Sequence, residues 1–378
     1  MKVGVVGQGM TAQAVTAYLA HPSTADDQGT IAEADVVIMS PGIAPETIDC
    51  QVEKWAEVEY AHRLMQRHHR PPVIIGVTGT NGKSTVVSLI AALVQAPAVG
   101  NIGDPLINYV MRPTPILVCE LSSFQLECCH QFRPHIAVLL NIEPDHMDRH
   151  GTMASYQSAK QRLYQAQGPD DYLLLGDESL RAVCADARSQ VEFVQLTDKG
   201  VWCPALVGAH NRINQSIAVR VAQLMGVTDT VIQHRLATFR GLPHRLERVR
   251  SVRGRVFYND SKATNPAAVQ VAIAAFSEPM VLLLCGADKG IDFGSFMATL
   301  PSHIRQVIVF GAIATHVAGL RAAVPVQMVS TMSEAIELSM TVSESGDVIV
   351  LSPGSSSFDQ FTSFEDRGDQ FCRLVERL

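Results

Sequence analysis

Short apolar runs alternate with longer stretches of helical period along this chain, the pattern that builds α/β proteins around parallel sheets. Val3 to Val6 reads as a strand, Thr11 to Leu19 as a helix, and Val36 to Met39 as a second strand ending at Ser40-Pro41-Gly42. A polar helix running through Arg63 leads to Arg70-Pro71-Pro72, a candidate hinge. The apolar run Pro72 to Gly76 opens a central block with further strands at Ile116–Cys119, Ile136–Leu140 and Tyr172–Leu175. Helical patterns follow residues 77–85, run from Tyr156 to Gln167, and recur from Arg212 to Met225. Gly241-Leu242-Pro243 breaks the period and is a second candidate hinge. Beyond it, strands at Val256–Tyr258, Met280–Cys285, Val307–Phe310 and Val348–Leu351 alternate with helices, the spacing of another doubly wound sheet. No internal repeat or low-complexity segment stands out. The pattern predicts three α/β domains: a Rossmann-like one over 1–71, a central P-loop domain with a mainly parallel sheet over 72–241, and a doubly wound Rossmann-like one over 242–378.

Composition narrows the classes. At 378 residues each domain is long enough to bury its own core, and 47% hydrophobic with 18% charged residues describes an ordinary globular protein. A net charge of −7 argues against a general nucleic-acid binder. The run Arg245, Arg248, Arg250, Arg253 and Arg255 reads mostly as a solvated face. Eight cysteines, with Cys128-Cys129 adjacent but no C-x-x-C ladder, suit reduced cytosolic thiols better than zinc or disulfides. No apolar stretch approaches the roughly twenty residues that cross a bilayer, and the first residues read as a strand rather than a signal peptide. The expectation is a cytoplasmic protein without membrane or nucleic-acid partners.

The most informative string is Val77-Thr78-Gly79-Thr80-Asn81-Gly82-Lys83-Ser84-Thr85. A strand that breaks into glycines and then Lys-Ser opening a helix presents unpaired N–H groups and a positive helix end to a polyphosphate. Lys83 reaches the terminal phosphates and Ser84 offers a hydroxyl to Mg²⁺. The standard Walker spacing wants Gly at position 77, where this chain has Val77. Near the N-terminus, Gly7-Gln8-Gly9-Met10-Thr11-Ala12 is a G-x-G-x-x-A string between strand and helix. The acidic residue that would grip a ribose at the end of the next strand is absent, so a nucleotide-sugar diphosphate suits this helix end better than NAD.

Three clusters lie downstream. Glu120 ends a strand beside the P-loop strand, where α/β nucleotide sites hold Mg²⁺. Asn141 to His150 follows another strand and carries three carboxylates and two histidines within eight residues (Glu143, Asp145, His146, Asp148, His150). His146 is placed to ligate a metal or orient a substrate oxygen, the bland alternative being helix capping. Lys160 lies on the helix that follows, where a lysine ordinarily reads as a solvated charge. In the last block, Asn259 to Pro266, Ala287-Asp288-Lys289-Gly290 and Ser352 to Asp359 each follow a strand, and the Ser/Gly string suits a carboxylate. Strand-end loops on two domains predict a cleft that closes over ATP.

Taken together, Gly79–Thr85, Glu120-Leu121-Ser122-Ser123, Asp145-His146-Met147-Asp148, Gly241–Arg245 and Asn259–Asn265 resemble the Mur ligases, in their D-glutamate-adding branch, over nearly the whole chain. The short Gly79–Ser84 loop that missed the Walker spacing is the family's own form. The resemblance implies an ATP- and Mg²⁺-dependent ligase that joins D-glutamate to UDP-N-acetylmuramoyl-L-alanine through an acyl phosphate in peptidoglycan precursor synthesis, acting as a monomer. It assigns Gly79, Thr80, Asn81, Gly82, Lys83, Ser84, Thr85, Asn211, Arg245 and Asp260 to ATP. Ser84, Glu120, His146 and a carbamate on Lys160 would hold Mg²⁺, with Lys83, His146, Lys160 and Lys262 as the catalytic set. Met10, Thr11, Ser40, Gly42, Asn101, Ser122, Gln125 and His146 would line the UDP-sugar path, and Lys262, Thr264, Lys289, Ser357 and Phe364 would take D-glutamate. One part departs from the family: only the polar stretch His21 to Thr30 stands where a further strand and a longer uracil-contacting loop are usual. The N-terminal domain is therefore expected to be abbreviated. A sister ligase or folylpolyglutamate synthetase-like enzyme with another acceptor, and a nucleotide-binding protein that has lost ligation, stay as alternatives.

Overall fold

The computed structural model describes residues 1–22, 26–112, 114–196, 202–208 and 210–378. The described residues build three sheets, in which all strands but one run parallel and so gather their carboxyl ends along one edge. The first holds β1 (Lys2–Val6), β2 (Asp27–Gln28), β3 (Val36–Met39) and β4 (Glu53–Ala56) in the order β2-β1-β3-β4, all parallel. The second holds β5 (Val73–Thr78), β6 (Ala98–Gly100), β7 (Ile116–Glu120), β8 (Ile136–Leu139), β9 (Tyr172–Leu175) and β10 (Gln190–Phe193) in the order β10-β9-β8-β5-β7-β6, again all parallel. The third holds β11 (Glu247–Val252), β12 (Arg255–Asn259), β13 (Met280–Cys285), β14 (Ile304–Phe310), β15 (Val326–Met328) and β16 (Val348–Gly354) in the order β11-β12-β16-β13-β14-β15, with β11 alone antiparallel.

Around the first two sheets run α1 (Met10–Leu19), α2 (Glu57–Met65), α3 (Lys83–Val94), α4 (Ser123–Leu126), α5 (Met147–His150), α6 (Met153–Gln161), α7 (Leu180–Val183), α8 (His210–Leu224) and α9 (Asp229–Thr238). With the third sheet come α10 (Pro266–Ala274), α11 (Gly294–Ala298), α12 (Ala314–Ala318), α13 (Met332–Val342) and α14 (Phe364–Glu376). The chain divides into two compact units, residues 1–201 with 212–237 and residues 202–211 with 238–378. Among the described residues no helix is long and apolar enough to cross a membrane. Among the described residues no two cysteines are joined in a disulfide.

Within the first unit the two sheets share one continuous core, running from Val3, Val37 and Ile38 through Tyr60, Leu106 and Leu117 to Leu175. Two buried carboxylates on α2 tie them together. Glu57 accepts the Ile107 N–H at 2.5 Å. Glu59, fully buried, takes the N–H groups of His130, Gln131 and Phe132 and the Arg63 guanidinium. In the second unit β12, β13, β14 and β16 bury apolar side chains on both faces, as a covered parallel sheet must.

Two expectations are corrected. The polar stretch His21 to Thr30 does contribute a strand, the two-residue β2 pairing with Lys2 and Val3, although residues 23–25 lie outside the described residues. The helix read from Tyr156 to Gln167 spans Met153–Gln161 instead. After Gln161 the backbone continues in i→i+3 turns, Leu163 and Tyr164 enter the core, and the Gln167 amide donates to Pro134 O and Tyr172 O. Side-chain anchoring overrides the helical period there.

Candidate functional site

The P-loop follows β5, which lies between β7 and β8 where the chain's path across the sheet reverses, so it opens at a topological switch point. Glu120 and Asn141, at the ends of β7 and just beyond β8, flank it for that reason. Gly82 caps α3 at φ +85°, a left-handed turn that costs a non-glycine residue strain, and a Cβ there would meet Asn214 Oδ1 at 2.9 Å.

The loop is held from behind by the segment after β8. Thr80 N donates to Asn141 O at 3.0 Å. Asn141 then grips both polar groups of Asn81: its Oδ1 accepts Asn81 N at 2.8 Å and its Nδ2 donates to Asn81 O at 3.2 Å. Glu143 N donates to Thr80 Oγ1, Glu143 Oε2 accepts the Asn81 amide, and Tyr156 Oη lies 3.1 Å from Thr80 Oγ1. The N–H groups of Thr80 and Asn81 are thus engaged inside the protein. Lys83 Nζ donates to Gly79 O and Thr80 O, both at 2.9 Å.

Lys160 joins the same carbonyl. Only 1% exposed on α6, it donates Nζ to Gly79 O at 2.9 Å and lies 4.7 Å from the Tyr156 ring. Burial first and the Lys83 charge second pull its pKa down to about 7, against a weaker opposing pull from Asp145. Glu120 is 2% exposed; Oε1 accepts the Asn101 amide at 2.8 Å, while buried Oε2 has no partner among the described residues. An unpartnered buried carboxylate oxygen is costly unless something meets it, and it is the hard donor Mg²⁺ prefers. Among the described residues no three His, Cys, Asp or Glu side chains gather into a metal cage. Mg²⁺ takes one or two protein carboxylates and fills its shell with phosphate and water.

His146 caps α5 at φ 55°, 4.8 Å from the Phe124 ring, with Asp145 Oδ2 3.5 Å from Nε2. His150 stacks on the same ring at 5.5 Å, pairs with Glu127 and Ser123, and has its pKa lowered chiefly by burial. Ser122 and Gln125 form a capping box at the start of α4, so local structure employs both side chains. On the first sheet, Met10 and Thr11 open α1, whose cap Gly9 offers no side-chain bond. Buried Ser40 Oγ has no partner among the described residues and lies against Gly7, whose φ of +114° and missing Cβ make room for it. Gly42 is exposed in the turn after β3.

In the second unit, Asp260 accepts from Ser352 Oγ at 2.8 Å and Leu246 N at 3.2 Å, yet burial pushes its pKa up to about 7. Exposed Lys262 holds Nζ 4.5 Å from the Phe364 ring. Ser357 is buried, Thr264 half-buried, and Lys289 and Arg245 exposed. Buried Ser356 Oγ, in the string expected to take a carboxylate, lacks a partner among the described residues. Asn211 donates Nδ2 to Val207 O and groups with this unit. Three side chains escaped the sequence reading. Asn141 and Tyr156 carried signals, one directly past a strand and the other four residues before Lys160. Arg367 carried none, sitting in a run of acidic residues that reads as solvated. It is fully buried, donating to Ser261 Oγ and O and to Ser355 O, and so pins α14 to two of the strand-end loops.

This arrangement matches known proteins along most of its length. The family model of the Mur ligase middle domain matches residues 77–202, and that of the Mur ligase glutamate ligase domain matches residues 244–354. UDP-N-acetylmuramoylalanine--D-glutamate ligase of Desulfitobacterium hafniense (strain Y51) is 36% identical over 386 residues, covering 91% of this chain and 84% of the relative. The same-named protein of Desulfovibrio desulfuricans is 38% identical over 355 residues, covering 91% and 82%. The fold is that of the MurF ligase from Thermotoga maritima solved with ADP (TM-score 0.63, 16% identity, 100% of this chain and 95% of that one). It is also that of Mycobacterium tuberculosis folylpolyglutamate synthase complexed with ADP (TM-score 0.60, 17% identity, 84% and 93%). With relatives this similar over this much of both chains, the protein belongs to the Mur ligase family.

Proposed function

We propose that this chain is an ATP-dependent ligase that joins D-glutamate to UDP-N-acetylmuramoyl-L-alanine, in domains bounded as 1–71, 72–241 and 242–378. It does so in the cytoplasm as a monomer, on small-molecule substrates. The observation that carries the reading is the meeting of Lys83 and buried Lys160 on the Gly79 carbonyl, beside a carboxylate with one unpartnered oxygen. Relatives that bear this activity in their name support the choice of acceptor.

Chemically, the substrate's terminal carboxylate oxygen attacks the γ-phosphorus of ATP, and the bond to the β-phosphate oxygen breaks to release ADP. Lys83 and the α3 amides offset the charge that spreads over the phosphoryl oxygens. The amine of D-glutamate then attacks the acyl carbon, the carbon–oxygen bond to phosphate breaks, and the nitrogen sheds a proton. Glu120 and the Ser84 hydroxyl, and His146 with a carbamate on Lys160, would hold Mg²⁺, which would supply positive charge to offset the repulsion of the two reacting anions. The lowered pKa of Lys160 bears on that carbamate. Its neutral amine has the lone pair that adds to the carbon of CO₂ with loss of a proton, turning a cation into an anionic oxygen ligand. Lys262 and Ser357, with Thr264, Lys289 and Phe364, are the proposed D-glutamate contacts. Met10, Thr11, Ser40, Gly42, Asn101, Ser122 and Gln125 are the proposed sugar-nucleotide contacts, and Asn211, Arg245 and Asp260 complete the ATP site.

The test is phosphate release with ATP, Mg²⁺ and UDP-N-acetylmuramoyl-L-alanine, with D-glutamate, L-glutamate or other amino acids as acceptor. Release that needs both the sugar nucleotide and D-glutamate is expected. Turnover with a different acceptor alone would make it a sister ligase, and none at all would leave a nucleotide-binding protein without ligation.

A further inference from the structure

Arg149 lies on α5 three residues after His146, and its guanidinium leaves the second sheet's loops to reach the first. Nη2 donates to the Ile43 carbonyl at 3.1 Å and to Glu127 Oε2 at 2.7 Å. Cζ lies 5.0 Å from the Phe124 ring centroid, the ring against which His146 and His150 also rest. Glu127 Oε1 meets His150 Nδ1 at 3.2 Å, and His150 Nε2 lies 3.0 Å from Ser123 Oγ. At the other end Ile43 closes the turn after β3, its N–H bonded to Ser40 O at 3.0 Å. The side chains of Arg149 and Glu127 are only 13% and 17% exposed, so the pair is shielded as an ordinary surface ion pair is not. One guanidinium nitrogen thus connects the Ser40–Ile43 turn of the first sheet to α5, the helix that His146 caps, and to Glu127.

We infer that Arg149 is a positioning residue: it fixes the Ser40–Ile43 turn relative to the His146 loop, and so sets where a sugar nucleotide bound on the first sheet delivers its carboxylate to a nucleotide bound on the second. The inference rests on the ligase reading proposed above. A two-substrate reaction across two sheets depends on their spacing, since about 1 Å of misplacement costs about a hundredfold in rate. The planar, multi-donor guanidinium suits this bridge; a lysine retains charge beside Glu127 but has no fork to span carboxylate and carbonyl.

The variants R149A and R149K test it in the full chain, with kcat, KM for each substrate, Mg·ADP affinity and melting midpoint as readouts. In R149A, kcat falls about ten- to a hundredfold and KM for the sugar nucleotide rises, while ADP affinity and KM for D-glutamate stay within about twofold. Millimolar guanidinium ion restores part of the rate. R149K restores the melting midpoint but not kcat. The inference is overturned if R149A keeps kcat and sugar-nucleotide KM within about twofold, or if ADP affinity falls in step with kcat. It is equally overturned if R149K recovers the full rate, which decides the matter should R149A not fold. Wild-type turnover in the same assay separates the two readings: its absence overturns the ligase, while turnover there with unchanged variants overturns the role of Arg149.

Discussion

At the scale of single residues, the candidate site includes a lysine, Lys160, whose burial a sequence does not display. Lys160 sits at an ordinary helical position, and its strand-end neighbours gave the sequence its only local hint. The structure supplies the missing physics: Nζ is enclosed by Gly79 O, Thr78 Oγ1 and the Tyr156 ring, with Lys83 on the same carbonyl. A pKa of about 7 leaves a large neutral fraction near neutral pH, whereas a free lysine at about 10.4 is almost wholly charged. Lys160→Ala is expected to abolish phosphate release with full substrates, and short carboxylic acids to restore part of it by replacing the anionic oxygen. Unchanged turnover in the Ala variant would end the carbamate assignment. Arg149 and Arg367 make the converse point. The sequence pattern assigns neither a role, and only tertiary packing turns each into a bridge between segments distant in sequence.

At the scale of elements, strands buried on both faces were legible because parallel sheets demand continuous β-branched and aliphatic runs. Val36–Met39, Tyr172–Leu175 and Met280–Cys285 lie where those runs lie. Short edge strands were not legible. Glu53–Ala56 and Gln190–Phe193 mix charged and apolar residues without a buried run, and the two-residue β2 is below any pattern's reach. The P-loop itself was readable from glycine and lysine spacing, but its support was not, because Asn141 looks like any residue capping a strand. Two hydrogen bonds to Asn81 make it the loop's clamp. Asn141→Ala removes both hydrogen bonds to Asn81, each worth about 0.5–1.5 kcal/mol. Weaker Mg·ADP binding, by about tenfold or more, is therefore expected in calorimetric titration, with the overall fold retained by circular dichroism. Wild-type affinity would show that the loop holds its shape without the clamp.

At the scale of the molecule, residues 1–71 form a sheet of their own, yet the structure gives that sheet no separate core. Its apolar residues run on into those of the second sheet, and α2 carries two buried carboxylates into the junction. Burial raises the Glu57 pKa from 4.5 to about 7, so the folded chain binds more protons than the unfolded one between those values. Stability from this group therefore falls as pH rises through that window, and the penalty is complete above it, on the order of 3 kcal/mol. Glu57→Gln keeps an oxygen for the Ile107 N–H and removes the charge. Its urea midpoint should exceed the wild type's at pH 8 and converge with it near pH 5. A shared core also makes a stronger demand. Ile38, on β3 and 1% exposed, lies in the first sheet only, and truncating it to Ala removes about 2–5 kcal/mol of packing. If the two sheets are one cooperative unit, hydrogen exchange must speed up at β5, β7 and β8 as well as at β1 and β3, because the opening that exposes one exposes the other. Were residues 1–71 to open alone, the central strands would keep their protection, and the P-loop sheet would stand as a domain that the first sheet merely adjoins.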